Sequence, residues 1–148
     1  MPKGAPKRVV LAHDAYNAKY VGRTADGRQF FFTNPFSPKP SGEVREFLAL
    51  YLFDLEGVLL DARIDDMGLR ENIDQPAYTA RVKAVLASLG DVTYRKIRVA
   101  PFQVERFDET FGFIPQAPEE PDEDWSVIVQ PGDYMCFWPP WTSGEYDT

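Results

Sequence analysis

The stretch Phe47–Phe53, FLALYLF, decides the fold of this chain, because all of its side chains are aliphatic or aromatic. A strand that is apolar on both faces is normally covered on both sides, as happens at the centre of a sheet. The following DLEG at 54–57 suits a type I turn closed by a glycine in the left-handed region. We therefore predict a central strand that turns back at residues 54–57 and pairs with Val58–Ile64.

The predicted partner strand alternates between apolar and polar residues, which is typical of one buried and one half-solvated face. The residues predicted to face the core are Val58, Leu60, Ala62 and Ile64. The residues predicted to face outward are Leu59, Asp61, Arg63 and Asp65, with Asp66 beside them. These charges could hold a cation or act in acid–base chemistry. A solvated face with its own ion pairs is the more ordinary interpretation of mixed charges on a sheet surface.

Two more hairpins have recognisable turns. An Asp-Gly pair at 26–27 accepts the positive φ angles of a tight turn at little cost, and a Pro-Gly pair at 131–132 has the residue order of a type II turn. Their predicted arms are Lys19–Thr24 with Gln29–Thr33, and Ser126–Val129 with Tyr134–Phe137. Further strands are predicted over Val92–Val99, Val104–Phe107 and Phe111–Ile114.

One helix is predicted from about Gln75 to Leu89. Asp74 can cap its N-terminus, Pro76 is tolerated in the first turn, and Gly90 stands where the chain must leave the helix. Its apolar stripe consists of Tyr78, Val82, Val85, Leu86 and Leu89. We expect this stripe to pack on one face of the sheet.

Two proline-rich segments are predicted to be loops. Residues 33–42 contain three prolines, which lack the backbone donor that continuous sheet pairing needs. Residues 115–124 contain three prolines and five acids, and we expect them to be exposed and mobile. With seven or eight strands mostly in hairpins and one helix, the sequence predicts a single α+β domain over residues 1–148 with a mainly antiparallel sheet.

The composition suits one compact domain, with 148 residues of which 44% are hydrophobic and 14% aromatic. No stretch reaches the ~20 apolar residues of a membrane helix, and the basic N-terminus lacks the long apolar region of a secretory signal. The single cysteine, Cys136, allows no disulfide within the chain, which suits a reducing compartment. We expect a cytoplasmic protein that does not engage a membrane.

The net charge of -7 is concentrated towards the C-terminal end. Residues 115–148 hold eight acids and no Lys or Arg, so the first 114 residues carry a net charge of +1. A nucleic-acid partner is not expected, because phosphate neutralisation needs clustered Lys or Arg. A basic protein partner is favoured instead, although solubilisation is the more ordinary role of such a segment. The acids predicted to bind that partner are Glu119, Glu120, Asp122, Glu123 and Asp124.

No catalytic motif is recognisable in the sequence, which has no P-loop, dinucleotide-binding glycine pattern, nucleophile elbow or paired-cysteine metal motif. His13 and Asp14 are neighbours, but adjacent strand residues point to opposite faces, so a surface histidine is the ordinary interpretation. A Cys136/His13 dyad is conceivable, yet a cysteine in an aromatic strand is usually a buried and inert thiol. We therefore predict no catalytic residue, no metal ligand and no cofactor.

The closing run YMCFWPPWTSGEYDT, residues 134–148, carries the strongest interaction signal. Trp138 and Trp141 flank a stiff diproline, and tryptophan is favoured at binding surfaces because it buries a large area with few rotatable bonds. The ordinary interpretation is that both rings cover the open end of the core and anchor the C-terminal segment. We predict Trp138 and Trp141 as partner-binding residues beside the acids.

Three functions remain open at this point. The first is a non-enzymatic protein-interaction module, such as a bacterial adaptor or an immunity-type protein that neutralises a basic partner. The second is a small-ligand-binding domain with a cleft between sheet and helix, lined by Phe30, Phe32 and Tyr51. The third is an enzyme that works through carboxylates and tyrosines. The first two rank higher, because neither needs a catalytic set.

Overall fold

The computed structural model describes residues 4–148 and has an α+β fold. Within these residues there are twelve strands in three antiparallel sheets and one α-helix, α1, Gln75–Ser88. The strands are β1 Val9–Leu11, β2 Tyr20–Thr24, β3 Gln29–Thr33, β4 Phe36–Pro38, β5 Val44–Phe53, β6 Leu59–Leu69, β7 Val92–Tyr94, β8 Ile97–Val99, β9 Phe102–Arg106, β10 Glu109–Gln116, β11 Ser126–Gln130 and β12 Cys136–Phe137. The predicted class is confirmed. The prediction of seven or eight strands in one sheet is corrected to twelve strands in three.

The central strand β5 organises a six-stranded sheet with the order β4-β5-β3-β2-β7, to which β6 is added by pairing with β5. Because β6 pairs along residues 45–53, β3 and β4 share the opposite edge of β5. A four-stranded sheet has the order β12-β11-β10-β9, and a two-stranded sheet consists of β1 and β8.

Both faces of β5 are buried, as predicted. One face packs against the two smaller sheets through Phe47, Ala49, Tyr51 and Phe53. The other face packs under α1 through Leu48, Leu50 and Leu52. The molecule therefore has three layers: the helix, the six-stranded sheet and the pair of smaller sheets.

The turns of the first two predicted hairpins are confirmed. The Gly27 amide donates to the Thr24 carbonyl at 3.2 Å, and the Gly57 amide donates to the Asp54 carbonyl at 3.0 Å. Gly57 has a φ of +88°, and a Cβ atom there would lie 2.4 Å from the Arg98 carbonyl oxygen. Position 57 therefore requires glycine both for its conformation and for the close approach of β8.

The alternation predicted for the start of β6 is wrong. A bulge opposite Leu52–Phe53 leaves Leu60 without a register partner. Since a bulge changes which face the flanking residues take, Leu59 packs against the core while Val58 and Leu60 are exposed. Beyond the bulge the predicted pattern returns, and Ala62 packs against the core.

The helix begins and ends close to the predicted residues. The Asp74 carboxylate accepts a hydrogen bond from the Ala77 amide at 3.1 Å, and Gly90 leaves the helix with a φ of +71°. Val85 and Leu89 are buried against the six-stranded sheet. Among residues 4–148 no helix is long and apolar enough to cross a membrane, and α1 has only 14 residues.

Residues 33–42 are not the continuous loop that the prolines predicted. Strand β4 pairs antiparallel with residues 44–46 of β5. Proline is tolerated in such a short edge strand because its missing donor can face away from the partner. A turn then returns the chain to β5, with the Lys39 amide donating to the Glu43 carbonyl at 2.8 Å.

The predicted strand over 92–99 divides into β7 and β8, which belong to different sheets. Strand β7 pairs with β2, whereas β8 pairs with β1. The third predicted hairpin does form, with Val127 of β11 opposite Phe137 of β12. Its connection, residues 131–135, is longer than the predicted turn.

Candidate functional site

The acidic segment, residues 117–125, connects β10 to β11 in the four-stranded sheet. The segment begins two residues later than the predicted 115–124 loop, because Pro115 and Gln116 belong to β10 and pair with β11. The five predicted acids are all exposed, and none takes part in an ion pair of the described residues. Their carboxylates are therefore available to a cation from outside. They are Glu119, Glu120, Asp122, Glu123 and Asp124.

Trp138 lies at the same end of the four-stranded sheet as the acidic segment. Val127 of β11 pairs with Phe137 of β12, so the next residue of the chain, Trp138, lies beside Ser126. Ser126 is the residue at which the acidic segment enters β11. The Trp138 side chain is 45% exposed, so the interpretation that both tryptophans cover the core is wrong for this residue. We call the acidic segment together with Trp138 the acidic end.

Trp141 has the anchoring position that was expected of both tryptophans. Its ring packs against the core between the sheets, and its carbonyl accepts a hydrogen bond from the Val10 amide of β1 at 2.9 Å. The Gly144 carbonyl accepts from the Ala12 amide at 3.1 Å. Only part of the Trp141 side chain is accessible to a partner.

Tyr146 joins the C-terminal segment to the loop before β2. Its hydroxyl donates to Asp14 Oδ2 at 2.6 Å and accepts from the Asn17 amide at 3.1 Å. Burial and the hydrogen bond to Asp14 raise the pKa of Tyr146 to about 12. Burial alone would raise the pKa of Asp14, but the hydrogen bonds from Tyr146 and from the Tyr16 and Ala18 amides outweigh it and lower that pKa. At neutral pH the pair is therefore a carboxylate bonded to a neutral phenol.

His13 and Cys136 have separate partners in the structure. The exposed His13 ring stacks on Tyr94 with centroids 5.3 Å apart, and its Nε2 lies 3.1 Å from the Lys19 carbonyl. Burial, reinforced by two nearby carboxylates, raises the pKa of the Cys136 thiol against an opposing hydrogen bond with Ser126. A protonated thiol is a poor nucleophile.

The charges on β6 pair among themselves and with α1. Arg63 lies 2.9 Å from Asp61, and Arg81 of the helix lies 2.8 Å from Asp65. The charged residues of β6 therefore form a solvated face with its own ion pairs, which was the more ordinary interpretation of the sequence. Within residues 4–148 no group of three or more His, Cys, Asp or Glu residues is placed to hold a metal ion.

A cleft of about 250 Å³, the tyrosine cleft, lies between α1, β3 and the loop at residues 14–19. Tyr16, Tyr20 and Tyr78 line it, and Phe32 and Leu48 contribute buried apolar surface. The three tyrosines come from a loop, a strand and a helix, so only the folded chain brings them together.

The lining of this cleft differs from the predicted lining. Of the three residues expected there, Phe32 lines it, whereas Phe30 is buried under α1 and Tyr51 lies on the opposite face of the sheet. Sequence reasoning missed Lys19 and the tyrosines around it. The available signal was AYNAKY at 15–20, a loop that is unusually rich in aromatic residues beside a cation.

Within residues 4–148, the acidic end and the tyrosine cleft are both accessible to a partner or ligand. Comparisons of the chain with protein-family models, with curated proteins and with solved structures found no match.

Proposed function

We propose that this protein is a non-enzymatic interaction module that binds a basic protein partner at its acidic end, as an adaptor or an immunity-type protein would. The observation that carries the proposal is the placement of an exposed tryptophan, Trp138, at the same end of the four-stranded sheet as five exposed carboxylates that take part in no ion pair of residues 4–148. Such carboxylates attract and orient a cationic surface. A tryptophan supplies the apolar anchor on which binding energy concentrates.

The distribution of charge supports the same partner. Residues 115–148 carry a net charge of -8 and the preceding residues a net charge of +1, so the negative field is centred on one end of the sequence. Exposed charges act over about one Debye length, roughly 8 Å at physiological ionic strength. A basic partner is therefore steered toward the surface that also presents Trp138.

The state of the other reactive groups supports a binding role over catalysis. The Cys136 thiol has a raised pKa, and the His13 ring is held by a backbone carbonyl and by Tyr94. Within residues 4–148 neither side chain is hydrogen-bonded to a carboxylate or to the other, which is the arrangement that an activated nucleophile uses.

We test the proposal by neutralising the acidic segment. The variant Glu119→Gln, Glu120→Gln, Asp122→Asn, Glu123→Gln, Asp124→Asn should fold normally, because these side chains are exposed and have no ion-pair partner in residues 4–148. In affinity capture from the native host it should lose the basic protein that the wild type retains. The on-rate for that protein should fall by about tenfold or more at low salt, because steering contributes 10-fold to 1,000-fold.

A matched control variant removes five exposed acids elsewhere: Glu43→Gln, Glu56→Gln, Glu71→Gln, Asp91→Asn and Asp108→Asn. It has the same net charge as the test variant, so any difference between them reports on the acidic segment itself. The variant Trp138→Ala should speed dissociation with little effect on the on-rate. Equal capture by the test and control variants would contradict the proposal.

A further inference from the structure

We infer that the tyrosine cleft binds a small, flat aromatic carboxylate, with its ring against the tyrosines and its carboxylate at the Lys19 ammonium. This site is independent of the proposed acidic end. The cleft lies on the helix-covered face of the six-stranded sheet, whereas the acidic segment belongs to the four-stranded sheet on the other side.

The wall formed by the 14–19 loop is held in place by hydrogen bonds. Asp14 Oδ1 accepts from the Tyr16 amide at 2.8 Å and from the Ala18 amide at 3.0 Å. The Asn17 side-chain amide donates to the carbonyl of Tyr134 at 3.2 Å. A wall that is already ordered lowers the entropy cost of binding, so the cleft is largely preformed.

The shape and lining of the cleft suit an aromatic ring. Its volume of about 250 Å³ lies just below the roughly 300 to 1,000 Å³ of ordinary ligand pockets, which suits a small ligand of one or two fused rings. Tyr20 and Phe32 have ring centroids 5.8 Å apart at an angle of 34°. Offset and tilted aromatic contacts of this kind stabilise a further ring beyond the area that it buries.

The charge of the cleft selects an anion. Lys19 is the only charged residue among those that line it, and it takes no part in the ion pairs of residues 4–148. The Lys19 ammonium lies 5.9 Å from the centroid of the Tyr20 ring, which keeps the cation at the cleft wall. Glu46 lies outside the lining and acts on Tyr78 through its charge, but its carboxylate is paired with Arg70 at 3.0 Å.

The helix side of the cleft adds a hydrogen-bond donor. Burial, reinforced by the charge of Glu46, raises the pKa of Tyr78, so that its hydroxyl is protonated at neutral pH. A phenol that is protonated can donate to an anionic oxygen, as the Lys19 ammonium also can. The lining of the cleft therefore offers a carboxylate two kinds of donor, an ammonium and a phenol.

The test uses 2-naphthoate as the anionic probe and 2-naphthalenemethanol as its neutral counterpart, each titrated into the full chain and followed by amide NMR shifts. We expect saturable binding of 2-naphthoate, with shifts centred on residues 16–20, 34 and 78. Lys19→Gln should weaken that binding about tenfold, because it removes the charge-assisted hydrogen bond to the carboxylate. The same substitution should change the affinity for 2-naphthalenemethanol by less than about twofold.

Two further variants keep the test decisive. Lys19→Arg retains the charge and should bind 2-naphthoate within about threefold of the wild type. Lys83→Gln removes a charge from the exposed side of α1, outside the cleft lining, and should bind like the wild type. The inference is overturned by the absence of saturable binding, by shifts that lie elsewhere, or by equal losses in Lys19→Gln and Lys83→Gln.

Discussion

At the scale of single residues, the Tyr146 hydroxyl connects the C-terminal segment to the loop at residues 14–19. It gives a hydrogen bond to Asp14 and accepts one from Asn17, and both of these residues belong to the loop that walls the tyrosine cleft. Nothing in the sequence indicated that Asp14 orients its neighbour His13, and the actual partner of Asp14 is 132 residues away. A contact so distant in the chain leaves no local pattern, so sequence reasoning could not find it.

We predict that Tyr146→Phe lowers the free energy of unfolding by about 1 to 2 kcal/mol at pH 7. The substitution removes one donor from the Asp14 carboxylate and one acceptor from the Asn17 amide, and a half-buried group left unpaired costs on the order of 1 kcal/mol. Urea denaturation measures the change. The control is Tyr16→Phe, where the ring is 71% exposed and the change should stay below about 0.5 kcal/mol. Equal losses in the two variants would refute the structural role of the Tyr146 hydroxyl.

The same substitution has a predicted pH dependence. Because the folded pKa of Tyr146 is raised to about 12, above the ordinary value near 10, folding favours the protonated phenol. Its contribution is complete below pH about 10 and is lost as the pH rises towards 12. The difference in stability between wild type and Tyr146→Phe should therefore shrink over that range. A difference that stays constant from pH 9 to 12 would show that Tyr146 does not titrate as the structure implies.

At the scale of elements, the sequence predicts well wherever the signal is local. The turns at Gly27 and Gly57 and the cap at Asp74 each depend on residues within four positions of one another, and all three form. The errors arise where the outcome depends on a partner strand. Pro38 could enter β4 because the strand lies at an edge, and Leu60 was displaced by a bulge opposite β5.

We predict that Leu50→Ala in β5 destabilises the protein by ~2 to 5 kcal/mol. Leu50 is 2% exposed and packs under α1, so truncation loses transfer energy and leaves a cavity. The matched control is Leu60→Ala on the neighbouring strand β6, where the same side chain is 55% exposed and the cost should be below about 0.5 kcal/mol. Chemical denaturation of both variants measures the difference. A larger loss for Leu60→Ala would mean that the bulge does not turn Leu60 outward.

At the scale of the whole molecule, the C-terminal segment forms hydrogen bonds with both of the smaller sheets. Trp141 and Gly144 carbonyls accept hydrogen bonds from the chain at β1, in the two-stranded sheet. Asp147 exchanges two backbone hydrogen bonds of 2.8 Å with Cys136 of β12, in the four-stranded sheet. The segment therefore covers the edge of β12 and joins the two smaller sheets within their shared layer.

The whole-molecule arrangement also explains how far function could be predicted. The acidic segment was visible in the sequence, because five acids and three prolines lie within residues 115–124. Its proximity to Trp138 follows from the register of β11 and β12, which the predicted hairpin already implied. The tyrosine cleft was not predictable in the same way, since a loop, a strand and a helix that are distant in the chain each supply part of its wall.

We predict that deleting residues 139–148 destabilises the protein by about 3 kcal/mol or more. The deletion removes Trp141, which is partly buried against the core, and because truncation of a fully buried tryptophan costs ~3 to 5 kcal/mol, a part of that loss is expected from this residue. It also exposes the edge of β12 and frees Asp14 from Tyr146. For a chain of this length the melting temperature should fall by roughly 6 to 12 °C.

The control for this deletion is Trp138→Ala, which removes a ring of the same size that is 45% exposed and should lower the melting temperature by less than about 3 °C. Because Tyr146 holds the loop that walls the tyrosine cleft, the deleted protein should also bind 2-naphthoate more weakly, whereas Trp138→Ala should not. Calorimetry and the NMR titration measure the two effects separately. If Trp138→Ala lost as much stability as the deletion, the core contact would belong to Trp138, and the acidic end would lose its exposed aromatic anchor.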